Sequence, residues 1–351
     1  MKNKKTFMWL LLSLLVLAGC GSSRPVNTEQ DVLTEQTENE DDGRIVVGFS
    51  QLGAESDWRS ANTASMKEAF SINNGYNLVF NDGQQKQTNQ ITAIRTFIQQ
   101  DVDYIVLAPV METGWDSVLE EAKEAKIPVI LVDRMVDVAD RSLYQCWIGS
   151  DFELEGKKVC EWLYQYTLAN DIPSEDLHIV DLQGTLGSTA QLGRSRGLNE
   201  AAIEHGWDIV ALKDADFTQE KGREVMSELL REYDNINVVY CENDNEAIGA
   251  IKAIESAGLT AGADIKNGEI MVLSFDGINR EALAYAKEGK IACIGECNPL
   301  HGPRVAALIQ SLERGREPEK FNYVEESIFS TLDDVETIKV DGIEYVVASP
   351  K

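Results

Sequence analysis

From Arg44 onward, short runs of β-branched and other apolar residues alternate with longer amphipathic segments. The short runs are apolar at nearly every position, which indicates strands buried on both faces of a parallel sheet. We predict strands at 45–49, 77–80, 104–107, 129–132, 178–182, 209–212, 238–240, 270–274 and 291–295. We predict helices at 58–70, 89–99, 115–125, 154–168, 190–204, 219–232, 245–257 and 280–287.

Regular alternation of strands and helices predicts the α/β class with doubly wound parallel sheets. About nine strands exceed one comfortable sheet over this length, so we predict two sheets in two lobes. The chain is expected to cross between the lobes at 144–149, near 295–298, and again in the tail through 321–328 and 338–347. The predicted limits are 44–149 plus 296–325 for the N-terminal lobe and 150–295 plus 326–351 for the C-terminal lobe.

The first twenty residues combine a basic start, an apolar run at 7–16 and the small residues Ala18 and Gly19 before Cys20. The apolar run is too short to span a membrane comfortably. This pattern resembles the lipobox of bacterial lipoproteins, in which Cys20 would be lipidated. We therefore predict a lipoprotein signal peptide at 1–19 and a lipid-anchored acidic linker at 20–43, which is too polar to fold. An ordinary secretory signal and a short membrane anchor are the alternatives.

The chain is strongly acidic, with a formal net charge of −27. Such a chain does not seek phosphate backbones, which argues against nucleic acid and anionic membrane surfaces as partners. Five cysteines remain besides Cys20, and an odd number does not indicate a disulfide framework. We expect buried free thiols, with one disulfide left open, at Cys146, Cys160, Cys241, Cys293 and Cys297.

Polar and aromatic side chains recur just after the predicted strands, where ligands bind in open α/β sheets. Sugar hydroxyls both donate and accept, so a sugar site needs both kinds of polar group. Guanidinium and carboxylate groups make strong charge-assisted hydrogen bonds, and aromatic faces cover the C–H patches of a sugar ring. The candidate ligand-binding residues are Trp58, Arg59, Asp133, Arg134, Arg194, Phe217, Asn243, Asp276 and Glu296.

Eight stretches carry a family resemblance: VGFSQLGAESDWRSA, NDGQQKQTNQITAIRTFI, LAPVMETGW, IPVILVDRMVDVADRSLY, LQGTLGS, DFTQEKGREVM, END and SFDG. They resemble the galactofuranose-binding proteins of bacterial ABC importers, within the wider ribose- and galactose-binding family. The match covers almost all of the chain after the linker except the last twenty or so residues. The resemblance implies two Rossmann-like doubly wound lobes joined by a three-strand hinge, the type I periplasmic-binding-protein fold.

In the N-terminal lobe, the resemblance implies that Trp58 stacks on the sugar and Arg59 bonds to its hydroxyls. Asp133 and Arg134 correspond to the sugar-binding Asp-Arg pair of the family. The alternative for these two residues is an ion pair that only stabilises the lobe.

In the C-terminal lobe, the resemblance implies that Arg194 binds the sugar and Phe217 stacks on it. It also implies a contact from the amide of Asn243, one from the carboxylate of Asp276, and one from Glu296 near the second crossing. The alternatives are a solvated Arg194 and a Phe217 that belongs to the core at the start of a helix.

Taken together, these features predict a solute-binding lipoprotein that captures a monosaccharide by lobe closure and delivers it to an ABC permease. We expect a monomer without cofactor, metal or catalytic residues, tethered outside the cytoplasmic membrane of a Gram-positive cell. A sugar receptor that signals to a membrane kinase or chemoreceptor would have the same fold.

A sugar-processing enzyme is a further alternative, which the motifs favour little. His178, His205 and His301 lack HExxH spacing, and the chain contains no GxSxG or GxxxxGK[ST] motif. The effector domain of a sugar-responsive repressor is disfavoured by the export signal, the acidity and the lack of a helix-turn-helix region.

Overall fold

The computed structural model describes residues 43–350, and within that range nine helices and fourteen strands are arranged around two sheets. All nine predicted strands and all eight predicted helices overlap observed elements. The helices are α1 Asp57–Ala69, α2 Gln87–Gln99, α3 Asp116–Glu124, α4 Phe152–Ala169, α5 Thr189–His205, α6 Gln219–Glu232, α7 Asp244–Ser256, α8 Arg280–Lys287 and α9 Gly302–Glu313.

The first sheet has six strands, and every neighbouring pair is parallel. Its strands are β1 Ile45–Gln51, β2 Tyr76–Asp82, β3 Tyr104–Leu107, β4 Val129–Val132, β5 Cys146–Gly149 and β11 Phe321–Tyr323. They lie in the order β11-β5-β4-β3-β1-β2. Apolar clusters on the two faces form the core of this half of the protein, which is called the N-terminal lobe.

The second sheet has eight strands in the order β13-β14-β12-β10-β9-β8-β6-β7. Its strands are β6 His178–Gln183, β7 Asp208–Asp214, β8 Val238–Cys241, β9 Met271–Asp276, β10 Ile291–Glu296, β12 Ile328–Phe329, β13 Thr337–Val340 and β14 Ile343–Ala348. β12 runs antiparallel to β10, and β13 runs antiparallel to β14. This sheet and its helices form the C-terminal lobe, which has an apolar cluster on each face.

The chain passes three times between the sheets. It leaves β5 at Gly149 for α4, leaves β10 at Glu296 for α9, and leaves β11 at Tyr323 for β12. The second passage ends in the N-terminal lobe, because Val305 and Ile309 of α9 pack in the same cluster as Val47 of β1. The three connections, 150–151, 297–301 and 324–327, are called the hinge below.

Two details differ from the prediction. The segment 144–149, predicted as the first crossing, contains β5, which pairs with β4 and β11, so the crossing follows Gly149. The helix α9 was not predicted, although Pro303 in its first turn is a typical helix-start signal. The predicted lobe limits remain a prediction at the level of single residues. The predicted signal peptide and nearly all of the predicted linker lie outside the described residues.

The five cysteines within 43–350 are all free and buried, as expected from their number and spacing. Across the same residues, no helix combines the length and the apolar character that a membrane span requires.

Candidate ligand-binding site

A cavity lies between the two sheets, at the carboxyl ends of their parallel strands. Its volume is about 20 Å³, room for about one water molecule, so the two walls lie close against each other in this conformation. Both lobes and the hinge contribute to the lining. The lining residues are Glu55, Ser56, Trp58, Arg59, Asp133, Arg134, Phe152, Ala190, Arg194, Phe217, Asn243, Asp276 and Cys297.

Four charged side chains form a balanced network on the N-terminal wall. Arg59 Nη2 donates to Asp133 Oδ2 at 2.6 Å and to Glu55 Oε1 at 3.3 Å. Arg134 Nη2 donates to the same Glu55 oxygen at 2.7 Å. Asp133 therefore pairs with Arg59 rather than with Arg134, and the wall carries two positive and two negative charges.

The backbone holds Asp133 in a sparsely populated conformation. Its φ is +65°, which is in the left-handed region, and its N–H donates to Ile148 O at 2.8 Å. Trp147 Nε1 donates to Asp133 O at 2.9 Å. A Cβ at Gly149 would lie 2.7 Å from that same oxygen, so only glycine allows this approach. Strained backbone conformations of this kind are common at functional sites, where contacts with the surrounding structure hold the residue in place.

Arg194 dominates the C-terminal wall. Its Nε donates to Glu155 Oε2 at 2.8 Å, and its Nη2 lies 3.5 Å from Asp276 Oδ1. Its Nη1 donates to the main-chain oxygen of Glu242. The side chain is 2% exposed, whereas Arg196 on the same helix is 60% exposed and pairs with Glu153. Only Arg194 of these two arginines therefore reaches the cavity.

Three aromatic rings line the cavity as one apolar cluster with Ala190 and Cys297. Trp58 Nε1 donates to Cys297 O at 2.7 Å, which ties α1 to the hinge. Phe217 has a φ of +57° and packs over Gly184, where a Cβ would lie 1.9 Å from Phe217 Cζ. The third ring is Phe152, the first residue of α4. The rings offer faces for the C–H surface of a ligand.

Two of the predicted residues, Asn243 and Glu296, have side chains that hydrogen-bond to the backbone of the protein itself. Asn243 lines the cavity, but its Oδ1 accepts from Glu246 N at 2.8 Å and its Nδ2 donates to Phe217 O at 3.0 Å. It thus caps α7 and fixes Phe217. Glu296 does not line the cavity, because its Oε2 accepts from Ser327 N at 2.8 Å within the hinge. The geometry offers no support for a direct sugar contact by Glu296.

The two strand-end aspartates of the cavity have opposite protonation tendencies. Burial raises the pKa of Asp133, but the charges of Arg59 and Arg134 outweigh it, so the net pKa is lowered and Asp133 is a carboxylate. Burial also raises the pKa of Asp276, and there the single Arg194 does not compensate, so the pKa stays well above its ordinary value. The N-terminal wall thus offers an acceptor, while Asp276 is biased toward a protonated carboxyl that can donate.

The two arginines of the N-terminal wall have donors that are not used. Arg59 Nε, Arg59 Nη1 and Arg134 Nε are buried and have no hydrogen-bond partner among the described residues. A buried donor without a partner costs about 1–3 kcal/mol. A ligand with acceptor oxygens would satisfy these groups, which makes this wall a ready polar surface for a hydroxylated molecule.

Contacts across the mouth of the cavity show that the lobes are closed on each other. Met135 N donates to Thr189 Oγ1 at 3.1 Å, and the Arg134 guanidinium lies 5.4 Å from the centre of the Phe217 ring. Asn245 Nδ2 donates to Asp57 Oδ2 at 3.3 Å. Each of these contacts joins the N-terminal lobe to the C-terminal lobe.

The sequence reasoning missed five lining residues. Glu55 lies in the loop between β1 and α1, shortly before Trp58 and Arg59, so a search beyond the strand ends could have found it. Phe152 and Cys297 adjoin the first and second crossings, and no local signal marks them as cavity residues. Ser56 and Ala190 complete the set.

One group of potential metal-ligating side chains occurs among the described residues, at the hinge. Ligand atoms of Glu155, Cys297 and Glu326 lie within 4.8 Å of one another. However, Arg194 already bonds to Glu155, and the buried Lys158 ammonium donates to Glu326 O at 2.8 Å. Two adjacent cations disfavour a metal ion there, and we assign none.

Comparison with known proteins identifies the family. Residues 47–315 match the periplasmic binding protein domain. The chain belongs to the periplasmic-binding-protein family. The two parallel sheets and three connections described above are the fold that the sequence predicted for it, so the predicted type I fold is confirmed.

Members of this family similar to the chain include sugar-binding proteins. The galactofuranose-binding protein of Escherichia coli (strain K12) is 39% identical over 81% of this chain and 87% of its own length. A Mycobacterium smegmatis protein solved with β-D-fucofuranose is 37% identical over 83% of this chain and 92% of its own, with a TM-score of 0.76. A third similar protein is the binding component of the arabinose ABC transporter of Shewanella sp. ANA-3, solved with α- and β-L-arabinofuranose. It is 38% identical over 81% of this chain and 91% of its own, with a TM-score of 0.75.

These matches confirm the resemblance to galactofuranose-binding proteins. They also confirm the prediction that the chain is not an enzyme, because the relatives are binding proteins of sugar importers.

Proposed function

We propose that this protein is an extracytoplasmic solute-binding lipoprotein that captures one uncharged monosaccharide in its furanose form and delivers it to an ABC permease. The ligand contacts would be made by eight of the predicted residues, Trp58, Arg59, Asp133, Arg134, Arg194, Phe217, Asn243 and Asp276.

The observation that carries the proposal is the set of unsatisfied guanidinium donors of Arg59 and Arg134 in a small cavity with aromatic walls. Donors without partners need acceptor oxygens, and the rings of Trp58 and Phe217 need an apolar face. A small sugar ring presents both at once. The two charge pairs on the N-terminal wall cancel, so the site offers no net positive charge to attract a sugar acid or sugar phosphate.

The furanose form is inferred from the relatives. The similar proteins are a galactofuranose-binding protein and proteins solved with fucofuranose and arabinofuranose. The stretches of sequence that resemble galactofuranose-binding proteins include Trp58, Arg59, Asp133 and Arg134. We therefore assign a galactofuranose-like ligand.

Capture would work by closure. Arg59 and Asp133 lie on one lobe and Arg194 and Asp276 on the other, so a sugar makes all of its contacts only when the lobes are together. This difference in affinity between open and closed states is what shifts the equilibrium. No chemical step is needed, and the permease would distinguish the closed form from the open one.

The predicted lipid anchor at Cys20 belongs to the same proposal. It would keep the protein at the outer face of the cytoplasmic membrane, near the permease, as a monomer. If Cys20 is lipidated, the unaltered protein should incorporate radiolabelled palmitate and the Cys20→Ala variant should not. Equal labelling of the two proteins, or no label in either, would contradict lipidation at Cys20.

The direct test is calorimetric titration of residues 44–351, which contain both sheets and their cores. Methyl β-D-galactofuranoside and methyl β-D-galactopyranoside differ only in ring form, so the pair isolates that choice. D-galacturonate tests the preference for an uncharged sugar. We expect saturable binding of the furanoside, binding at least about tenfold weaker for the pyranoside, and none for the acid.

Analysis of the recovered furanoside completes the test. Chemically unchanged sugar is expected. Equal affinity for both ring forms would overturn the furanose assignment, and binding of none of these compounds would overturn the proposed ligand class. A hydrolysed furanoside would contradict a pure binding function.

A further inference from the structure

The three connections of the hinge converge on the carboxyl group of Glu326. Its Oε1 accepts from Ser150 Oγ of the first connection and from Asn298 N of the second, each at 2.7 Å. Glu326 itself lies in the third connection. One oxygen atom therefore joins all three chain segments about which the lobes must rotate.

The other side of this carboxyl group faces Glu155 of α4. One carboxyl oxygen of Glu155 and one of Glu326 lie within 4.8 Å of each other. Two buried carboxylates this close repel each other, and a proton on one of them allows a hydrogen bond between them instead. Glu155 Oε1 is buried and has no hydrogen-bond partner among the described residues, so it is the acceptor that a protonated Glu326 would bond to.

The neighbouring charges indicate where the proton resides. Burial raises the pKa of Glu155, and Arg194, whose Nε lies 2.8 Å from Glu155 Oε2, opposes that shift and favours the ionised form. Glu326 has no such cationic partner at its carboxyl group. Burial raises the pKa of Glu326 well above its ordinary value, and the nearby charge of Glu155 raises it further.

Every element packed around the pair contributes charge. Lys158 of α4 is cationic, but its Nζ donates to the main-chain oxygen of Glu326. Asp151, which caps α4, and Glu296, at the end of β10, are acids near Lys158. Asp276 of β9 and the thiol of Cys297 lie on the side of Arg194. Acidic groups outnumber cationic groups around the pair. Their negative charges disfavour ionisation of a second carboxyl group, so the pair retains its proton more readily.

We propose that the proton shared by Glu155 and Glu326 holds the hinge in its closed geometry, so that closing on the ligand takes up a proton. Glu155 also accepts a hydrogen bond from Arg194, which lines the cavity. A change in the protonation of the pair would therefore alter the position of a side chain that binds the ligand. The inference rests on the proposed function, because it describes how sugar capture is regulated by pH.

The sign of the effect follows from linkage. If the closed state holds the proton more tightly than the open state, raising the pH above the ordinary glutamate pKa of about 4.3 disfavours closure. Sugar affinity then falls as pH rises, by up to about tenfold per pH unit while one full proton is taken up. Affinity becomes independent of pH where both states have lost the proton.

The test is calorimetric titration of methyl β-D-galactofuranoside into the protein in phosphate and in Tris at the same pH. The difference in observed enthalpy between buffers of low and high ionisation enthalpy measures the protons taken up on binding. Samples are dialysed against EDTA, so that a divalent ion cannot substitute for the proton. We expect net proton uptake, and an affinity that falls as the pH rises above the ordinary glutamate pKa of about 4.3.

Glu326→Gln is the decisive variant, because its amide can donate to Glu155 while its oxygen still accepts from Ser150 and Asn298. It should bind the sugar with less proton uptake and a flatter pH profile than the unaltered protein. Glu325→Gln, the exposed neighbour, is the matched control and should behave like the unaltered protein. No uptake in the unaltered protein, or equal uptake in Glu326→Gln, would overturn the proposal.

A measurement without ligand separates this inference from the proposed function. If no sugar binds, the midpoint of thermal unfolding is followed over the same pH range. A group with a raised carboxyl pKa loses its stabilising effect as pH rises, so Glu326→Gln should gain stability relative to the unaltered protein toward high pH. Parallel profiles for the two proteins would overturn the shared proton, whatever the fate of the sugar assignment.

Discussion

Asp133 combines a strained backbone conformation with a side chain that is both buried and charged. Its side chain is 4% exposed, and it accepts from Arg59 at 2.6 Å. Removing one member of a buried ion pair leaves the other without compensation and costs about 3–5 kcal/mol. The residue thus serves both the fold of the N-terminal wall and the orientation of Arg59 toward a ligand.

Asp133→Asn keeps the shape of the side chain and removes its charge. We expect sugar affinity to fall at least about tenfold and the midpoint of thermal unfolding to drop by several degrees at neutral pH. Because the carboxyl pKa is lowered in the folded protein, the stability difference should shrink as pH falls below about 4.

Titration and thermal unfolding against pH check this prediction. Asp140→Asn is the control, because Asp140 is exposed and pairs with Lys123 away from the cavity. Unchanged affinity in Asp133→Asn would show that the carboxylate is not part of the binding wall.

At the scale of elements, the pair of helices α4 and α5 positions the C-terminal wall. The helices touch through glycines: a Cβ at Gly197 would lie 2.8 Å from the Gly156 backbone. Tyr240 Oη also donates to Arg194 O at 2.9 Å at this contact. Close backbone approach brings Glu155 of one helix to Arg194 of the other, so helix packing decides the geometry of an ion pair in the cavity.

Gly197→Val should force these helices apart. Overpacking of this kind costs about 1–3 kcal/mol, so we expect the unfolding midpoint to fall by several degrees. Sugar affinity should fall as well, because Arg194 moves away from Glu155. Glu204→Val places the same β-branched residue on the exposed face of α5 and should change stability only slightly and affinity not at all. Equal effects of the two variants would contradict a role of the close contact between α4 and α5.

At the scale of the whole molecule, closure depends on polar contacts at the cavity mouth as well as on the ligand. Asp57, the first residue of α1, accepts from Asn245 and from Asn279, which both belong to the C-terminal lobe. Asp57 is exposed and the two asparagines are half-buried, and polar contacts of a solvent-exposed charge contribute little to folding. They exist only when the lobes are together, so their energy acts on the equilibrium between open and closed states.

Asp57→Ala should leave the stability of the free protein nearly unchanged and speed sugar dissociation several-fold, with little change in the association rate. Stopped-flow kinetics measure both rates. Asp116→Ala is the matched control, because Asp116 is the first residue of α3 and makes a local hydrogen bond to Ala139 N. Equal dissociation rates in the two variants would contradict a role of Asp57 in closure.

Much of the molecule follows from local pattern. Strands buried on both faces are apolar throughout, and helices between them repeat at helical spacing, so fold class and most boundaries could be predicted. The rule that ligands lie beyond strand ends, together with the family motifs, placed eight of nine predicted residues in one cavity. Glu296 lies outside this cavity, because it stands at a strand end that leads into the hinge, where its carboxylate accepts from Ser327 N.

The sequence by itself determined the class of fold, the two-sheet arrangement and the residue types at the site, because these depend on periodicity and on position relative to strand ends. Only the tertiary structure decided which titratable groups lie together. It joined Arg59 to Asp133 and Arg134 to Glu55, and it brought the carboxyl groups of Glu155 and Glu326 within 4.8 Å of each other. The physical reason is that such pairs form between segments 74 to 171 positions apart, so a partner depends on how sheets and helices pack in three dimensions, which no local pattern contains.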